Sequence, residues 1–149
     1  MILPLAPEIP LVLPRAEFLY EAIVEIGPTI SLGLSPFGER RIVNILGGRF
    51  VGPVLSGIVL PGGADRQLVR SDGVTQLDAL YEMRTDDGAI LTVNNKVVID
   101  NAVGARISSI VIQAPDGSHA WLNRIVIVGG LHSLRPEREA VLIRAFNVA

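Results

Sequence analysis

The chain has no cysteine among its 149 residues, which excludes disulfides, thiol nucleophiles, iron–sulfur clusters and cysteine-ligated zinc, and removes any mark of an oxidising compartment. Charge is scarce as well. Thirteen Lys and Arg against fifteen Asp and Glu give a net charge of −2, so no basic field exists to draw counterion-release energy from a phosphate backbone, and no nucleic-acid partner is expected. The two histidines, His119 and His132, stand in no H-x-E or H-E-x-x-H frame, so no metal site is expected. Glycine doublets occur at 47–48, 62–63 and 129–130 but never form a G-x-G-x-x-G or P-loop frame, and no G-x-S-x-G elbow is present. Nucleotide-binding loops and hydrolase triads are thereby set aside, and no cofactor is implied. No apolar run approaches the roughly 18 residues of a membrane helix. The opening stretch has prolines at 4, 7, 10 and 14 and lacks both a basic n-region and a cleavage pattern. A soluble, cytoplasmic protein without membrane partners is the expectation.

What is present is a foldable chain, 49% hydrophobic, of a length suited to one core. Proline at the observed spacing blocks helix and central strand, so residues 1–15 read as an extended arm packed on the domain or on a neighbour. Residues 16–149 read as a single all-β domain, because short β-branched segments alternate with turn residues and 3.6-residue periodicity is nearly absent. Strands are predicted near 18–26, closed by a Gly27-Pro28 turn, and near 41–46, 49–60, 65–70, 74–84, 89–99, 107–113, 119–128 and 141–148. Residues 137–146 mix helix-forming composition with strand alternation and are read as strand. Ser71-Asp72-Gly73, Asp86-Asp87-Gly88 and Pro115-Asp116-Gly117 carry hairpin chemistry, so neighbouring strands are antiparallel. About nine strands in so small a domain must hide their edges, and an antiparallel β-barrel does so most completely; a sandwich is the alternative.

With two-residue loops at Asp72-Gly73 and Asp87-Gly88, Gln67 pairs with Asp78 and Arg84 with Leu91. Asp65, Gln67, Asp78, Arg84 and Asn95 then share one face with Val69, Leu80, Leu91, Val93 and Val97, a mixture that suits a ligand cavity or, equally, a solvated outer face. A three-residue loop shifts the register by one and changes the grouping. The opposite face holds Tyr81 among Leu77, Ala79 and Met83. On the predicted strand near 119–128, His119, Trp121 and Asn123 lie on one side and Arg124 on the other.

Several motifs point to a family. Pro36-Phe37-Gly38-Glu39-Arg40-Arg41, then Leu60-Pro61-Gly62-Gly63-Ala64-Asp65, then Asp86-Asp87-Gly88-Ala89 and Ala120-Trp121-Leu122-Asn123-Arg124 resemble, in this order, the DUF3237 family, also written UPF0311. The resemblance runs from about Phe18 to the C-terminus and implies a small antiparallel β-barrel, without implying an activity. Arg66 stands where the family carries an aromatic, and the stretch between Asp100 and His119 is shorter than usual.

The chemistry left open is acid–base work by carboxylates in which burial raises one pKa. Asp65 and Asp78 are the candidate catalytic pair, with Arg84 to hold an oxyanion. Gln67, Tyr81, Asn95, His119, Trp121, Asn123 and Arg124 are candidate ligand contacts. The same charges also fit an internal salt-bridge ladder. The leading expectation is a cofactor-free isomerase, cyclase or lyase acting on a small, largely apolar oxygenated molecule. A non-catalytic small-molecule-binding barrel and an assembly module with an exchanged arm are the alternatives, and a homodimer is expected.

Overall fold

The computed structural model describes residues 4–149; the first three residues of the expected arm lie outside that range. Nine antiparallel strands close on themselves: β1 (Ala16–Ser35), β2 (Gly38–Val51), β3 (Gly57–Val59), β4 (Ala64–Val69), β5 (Val74–Thr85), β6 (Ile90–Asp100), β7 (Ile107–Gln113), β8 (Val126–Ser133) and β9 (Ala140–Val148). Around the ring β1 pairs with β9, then β8, β7, β6 and β5 follow; β3 and β4 each bridge β5 to β2, and β2 returns to β1. The fold is thus the expected all-β barrel, and of residues 137–146 those from Ala140 on lie in strand β9, with a turn before them and no helix. Residues 4–15 carry no strand or helix, and Leu5, Leu11, Val12 and Leu13 are exposed instead of packed on the barrel.

Three local expectations are corrected. The strands expected near 41–46 and 49–60 are divided otherwise, since β2 runs unbroken from Gly38 to Val51 and only Gly57–Val59 of the second expected stretch forms a separate strand, β3. Gly27-Pro28 does not close the first strand. It sits inside the bent β1, where register shifts fall on either side of Ile26. Pairing with β9 has ended at Glu25, so the missing N–H of Pro28 costs no ladder bond to that neighbour. The segment near 119–128 is not one strand. Residues Ala120–Arg124 form a 3₁₀ helix and β8 starts at Val126. The Asn123 side chain fixes that helix, accepting from the Ala114 N–H (2.8 Å) and donating to the carbonyls of Ala114 (2.9 Å) and Ala120 (3.1 Å).

The helix seats Leu122, 1% exposed, against one end of the barrel. Tyr20, Phe50, Met83, Leu91 and Leu122 are all buried in one continuous core, and Tyr20 meets Phe50 edge-on at 5.8 Å. Each such apolar side chain contributes on the order of 1.5–3 kcal/mol when fully buried. Close approach depends on Gly63, where an added Cβ would stand 2.4 Å from the Tyr81 Cβ, and on Gly48 (φ +140°), where it would stand 2.0 Å from the Ile23 carbonyl oxygen. The end away from the helix is left open.

Candidate functional site

The inside of the barrel is set by two loops at the ends of β5. Arg70 pairs with Val74 around Ser71-Asp72-Gly73, and Thr85 pairs with Ala89 around Asp86-Asp87-Gly88. Each is a three-residue loop whose last residue is a glycine with positive φ, +86° at Gly73 and +93° at Gly88. Consequently Gln67 pairs with Leu77 rather than Asp78, and Arg84 with Ile90 rather than Leu91. The one-residue difference applies at both ends of β5, so this strand alone is turned over relative to the expected grouping. Asp78 and Arg84 fall on the outer face and are exposed, while Tyr81 faces inward and is buried. Asp78 there accepts a hydrogen bond from the Asn94 amide at 3.0 Å.

One row of directly opposed inward residues runs Val43, Asp65, Ala79, Asn95, Ile110 and Ile127. The next row toward the open end includes Arg41, Gln67, Leu77, Val97 and Ser108. Above them a cavity of about 260 Å³ opens at the mouth. Its apolar wall is Ile26, Val43, Leu77, Ile99, Leu131 and Val141. Its polar wall includes Gln67, Thr75, Asn101 and three arginines, Arg41, Arg106 and Arg135.

Beneath this cavity the interior is polar in a way that stability does not require. Tyr20 Oη, Tyr81 Oη, Asn95 Oδ1 and Ser108 Oγ are buried and meet no hydrogen-bond partner among the described residues. Each such group costs about 1–3 kcal/mol. Asp65 is half-buried; its Oδ2 accepts from Gln67 Nε2 (2.8 Å) and its Oδ1 from the Asp78 N–H (3.0 Å). Burial nevertheless raises its carboxyl above the ordinary value, outweighing both hydrogen bonds, and the negative charge of Asp78 adds to the rise. Burial also raises the Tyr81 hydroxyl, with the Asn95 side chain pulling it down and the charge of Asp65 pushing it up. Tyr20 is raised well above its ordinary value by burial and then by Tyr81. Asp65, Tyr81 and Tyr20 therefore act on one another, and both phenols remain protonated donors.

The remaining candidates lie at the closed end, away from this group. His119 Nε2 stands 2.9 Å from both carboxylate oxygens of Asp87, which also accepts from the Thr85 hydroxyl. Asp87 is lowered first by Thr85 and then by His119. Trp121 is half-buried against the core, Asn123 serves the 3₁₀ helix, and Arg124 is exposed. The structure thus brings Asp65, Gln67, Tyr81 and Asn95 together and separates them from Asp78, Arg84, His119, Trp121, Asn123 and Arg124. Sequence reasoning missed Tyr20 and Ser108 as buried polar groups and Arg41, Arg106 and Arg135 as cavity residues. Alternation in β1 did place Tyr20 on the buried side, whereas nothing in the sequence marks the arginines as neighbours, since Arg41, Arg106 and Arg135 come from three distant segments. Among the described residues no three His, Asp or Glu gather into a group that could hold a metal, and no helix is long and apolar enough to cross a membrane.

Comparison with known proteins gives four findings. A family model described as "Protein of unknown function (DUF3237)" matches residues 14–148. A UPF0311 protein of Rhodopseudomonas palustris is 42% identical over 81 residues, covering 54% of this chain and 53% of the relative, so the aligned stretch spans about half of that relative's length. The hydroalkoxylation enzyme phnH of Penicillium herquei is 27% identical over 116 residues, covering 78% of this chain and 73% of the enzyme. Among solved structures, a β-barrel-like protein of Acinetobacter baumannii superposes with a TM-score of 0.85 at 28% identity, covering 94% of this chain and 99% of that one.

Proposed function

The chain belongs to the DUF3237 family, and from that premise we propose that it is a cofactor-free acid–base enzyme that adds a hydroxyl across an activated C=C bond, or runs the reverse elimination, inside the barrel. The observation that carries this reading is the enclosed polar group of Asp65, Tyr81, Tyr20 and Asn95 under a part-apolar cavity. The distant likeness to a hydroalkoxylation enzyme supplies the reaction class.

In such a reaction the hydroxyl oxygen bonds to the β-carbon of an enone while its proton passes to a base, the C=C pair shifts to join the α-carbon to the carbonyl carbon as the C=O pair moves onto oxygen, and the resulting enolate takes that proton at its α-carbon. Atoms and electrons balance as an isomerisation, so no oxidant or co-reactant is consumed. Asp65, whose carboxylate is made more basic by burial, takes the hydroxyl proton and returns it to the enolate. The buried Tyr81 and Tyr20 hydroxyls, both kept protonated, are donors for the oxyanion. Gln67, hydrogen-bonded to Asp65 and lining the cavity, connects the carboxyl to the bound molecule. Homodimerisation through the exposed arm is likewise a proposal, supported by the exposure of Leu11, Val12 and Leu13.

The test is the cyclisation of 2′-hydroxychalcone and of its 4-carboxylate to the corresponding flavanones, followed by loss of chalcone absorbance. Acceleration by the protein that falls by a factor of about 100 or more in Asp65→Asn is the expected result. No acceleration of either compound, or full activity in Asp65→Asn, overturns the reading.

A further inference from the structure

The walls of the mouth cavity include three guanidinium groups and no carboxylate. Two of the three are already matched. Arg41 donates to Glu39 Oε1 from Nε (3.0 Å) and Nη2 (2.7 Å). Arg135 donates to Glu139 Oε2 (2.7 Å) and is further tied to the Gly27 carbonyl (2.9 Å) and the Thr29 hydroxyl (3.2 Å). Arg106 is exposed at the rim and forms no ion pair among the described residues. Nearby polar groups are neutral and engaged with one another, since Asn101 donates to the Thr75 hydroxyl (3.2 Å) and Ser133 accepts from the Arg135 N–H (3.3 Å). In a chain of net charge −2 this leaves one positive charge at the mouth cavity without an ion-pair partner among the described residues.

We propose that the molecule bound in this cavity is a monoanion, its carboxylate held at the mouth by Arg106 and its apolar body directed into the barrel. The proposal rests on the cavity being the substrate site and deepens the function proposed above by naming the charge class of the substrate. One unpaired guanidinium balances one negative charge, and its planar fork matches the two oxygens of a carboxylate. Arg41 and Arg135, held by their glutamates, add field and shape without adding an unmatched charge.

The test compares three probes of one aromatic body by titration calorimetry: 1-naphthaleneacetate, its uncharged amide 1-naphthaleneacetamide, and 1-naphthyl phosphate. The acetate is expected to bind at least about tenfold more tightly than the amide, with the difference shrinking in 0.5 M NaCl and vanishing in Arg106→Gln. Arg106→Lys, which keeps the charge without the fork, is expected to retain part of the preference, and thermal melting of both variants shows that they are folded. Equal affinity for acetate and amide, a preference surviving in Arg106→Gln, absence of binding by all three probes, or phosphate binding tenfold more tightly than acetate overturns the proposal. None of these probes carries the hydroxyl and alkene of the reaction. Cyclisation of hydroxychalcone without an acetate preference therefore removes this inference alone, and the preference without cyclisation removes only the enzymatic reading.

Discussion

Asp65 is the residue on which the account turns, and its environment makes a prediction about stability that is independent of any substrate. Burial raises its carboxyl above the ordinary value of 3.8, so the folded chain holds this proton more tightly than the unfolded chain does. Stability then falls as pH rises from about 3.8 through the raised value, above which the folded protein bears the full cost of the buried charge. Asp65→Asn keeps an acceptor for the Asp78 N–H and removes that charge. Its melting temperature is expected to exceed that of the wild type at pH 7, by about 2–4 °C for each kcal/mol relieved, and the two are expected to converge below pH 4. Equal melting temperatures at pH 7 contradict the burial argument. From the sequence, Asp78 is the leading candidate of the pair, since a mid-strand carboxylate is expensive if buried. It lies outside, with Asn94 for a partner, and carries no such cost.

At the scale of elements, the strands were legible because alternation and Asp-Gly turns are local signals, while their faces depended on a single residue of loop length. Gly73 and Gly88 each mark a turn whether the loop has two residues or three, and the difference decides whether Tyr81 or Asp78 points inward. The 3₁₀ helix at Ala120–Arg124 was hidden for a similar reason. His119, Trp121 and Asn123 alternate as a strand would, but the Asn123 amide binds the backbone of Ala114 and Ala120 and competes with a ladder. The Gly62-Gly63-Ala64-Asp65 motif acquires a physical meaning that the sequence alone does not supply. Gly63 lets the start of β4 lie against Tyr81, so the backbone that delivers Asp65 and the phenol beside it are fitted together. Gly63→Ala would place a Cβ 2.4 Å from the Tyr81 Cβ and 2.6 Å from the Leu80 carbonyl oxygen. It is expected to cost about 1–3 kcal/mol in denaturant unfolding. An unchanged midpoint contradicts the packing described here.

For the whole molecule, closure of nine strands divides the interior into a filled end, sealed by Leu122 and lined by Tyr20, Phe50 and Met83, and an open end whose walls come from distant segments. The barrel itself was readable from strand count and composition. The mouth was not, because Arg41, Arg106 and Arg135 are brought together only by closure of the ring. The same closure buries Asp65, whereas Asp72 and Asp87 at exposed loops are lowered by their partners, Arg70 for the former and Thr85 then His119 for the latter. A barrel built as a tuned acid–base chamber therefore differs from a merely filled or merely binding one in a property of one carboxyl group. Carbon-13 NMR titration of the Asp65 side-chain carboxyl in the intact protein measures it directly. A midpoint clearly above 3.8, displaced further when 1-naphthaleneacetate occupies the mouth, is the predicted result, and a midpoint at or below 3.8 contradicts the account.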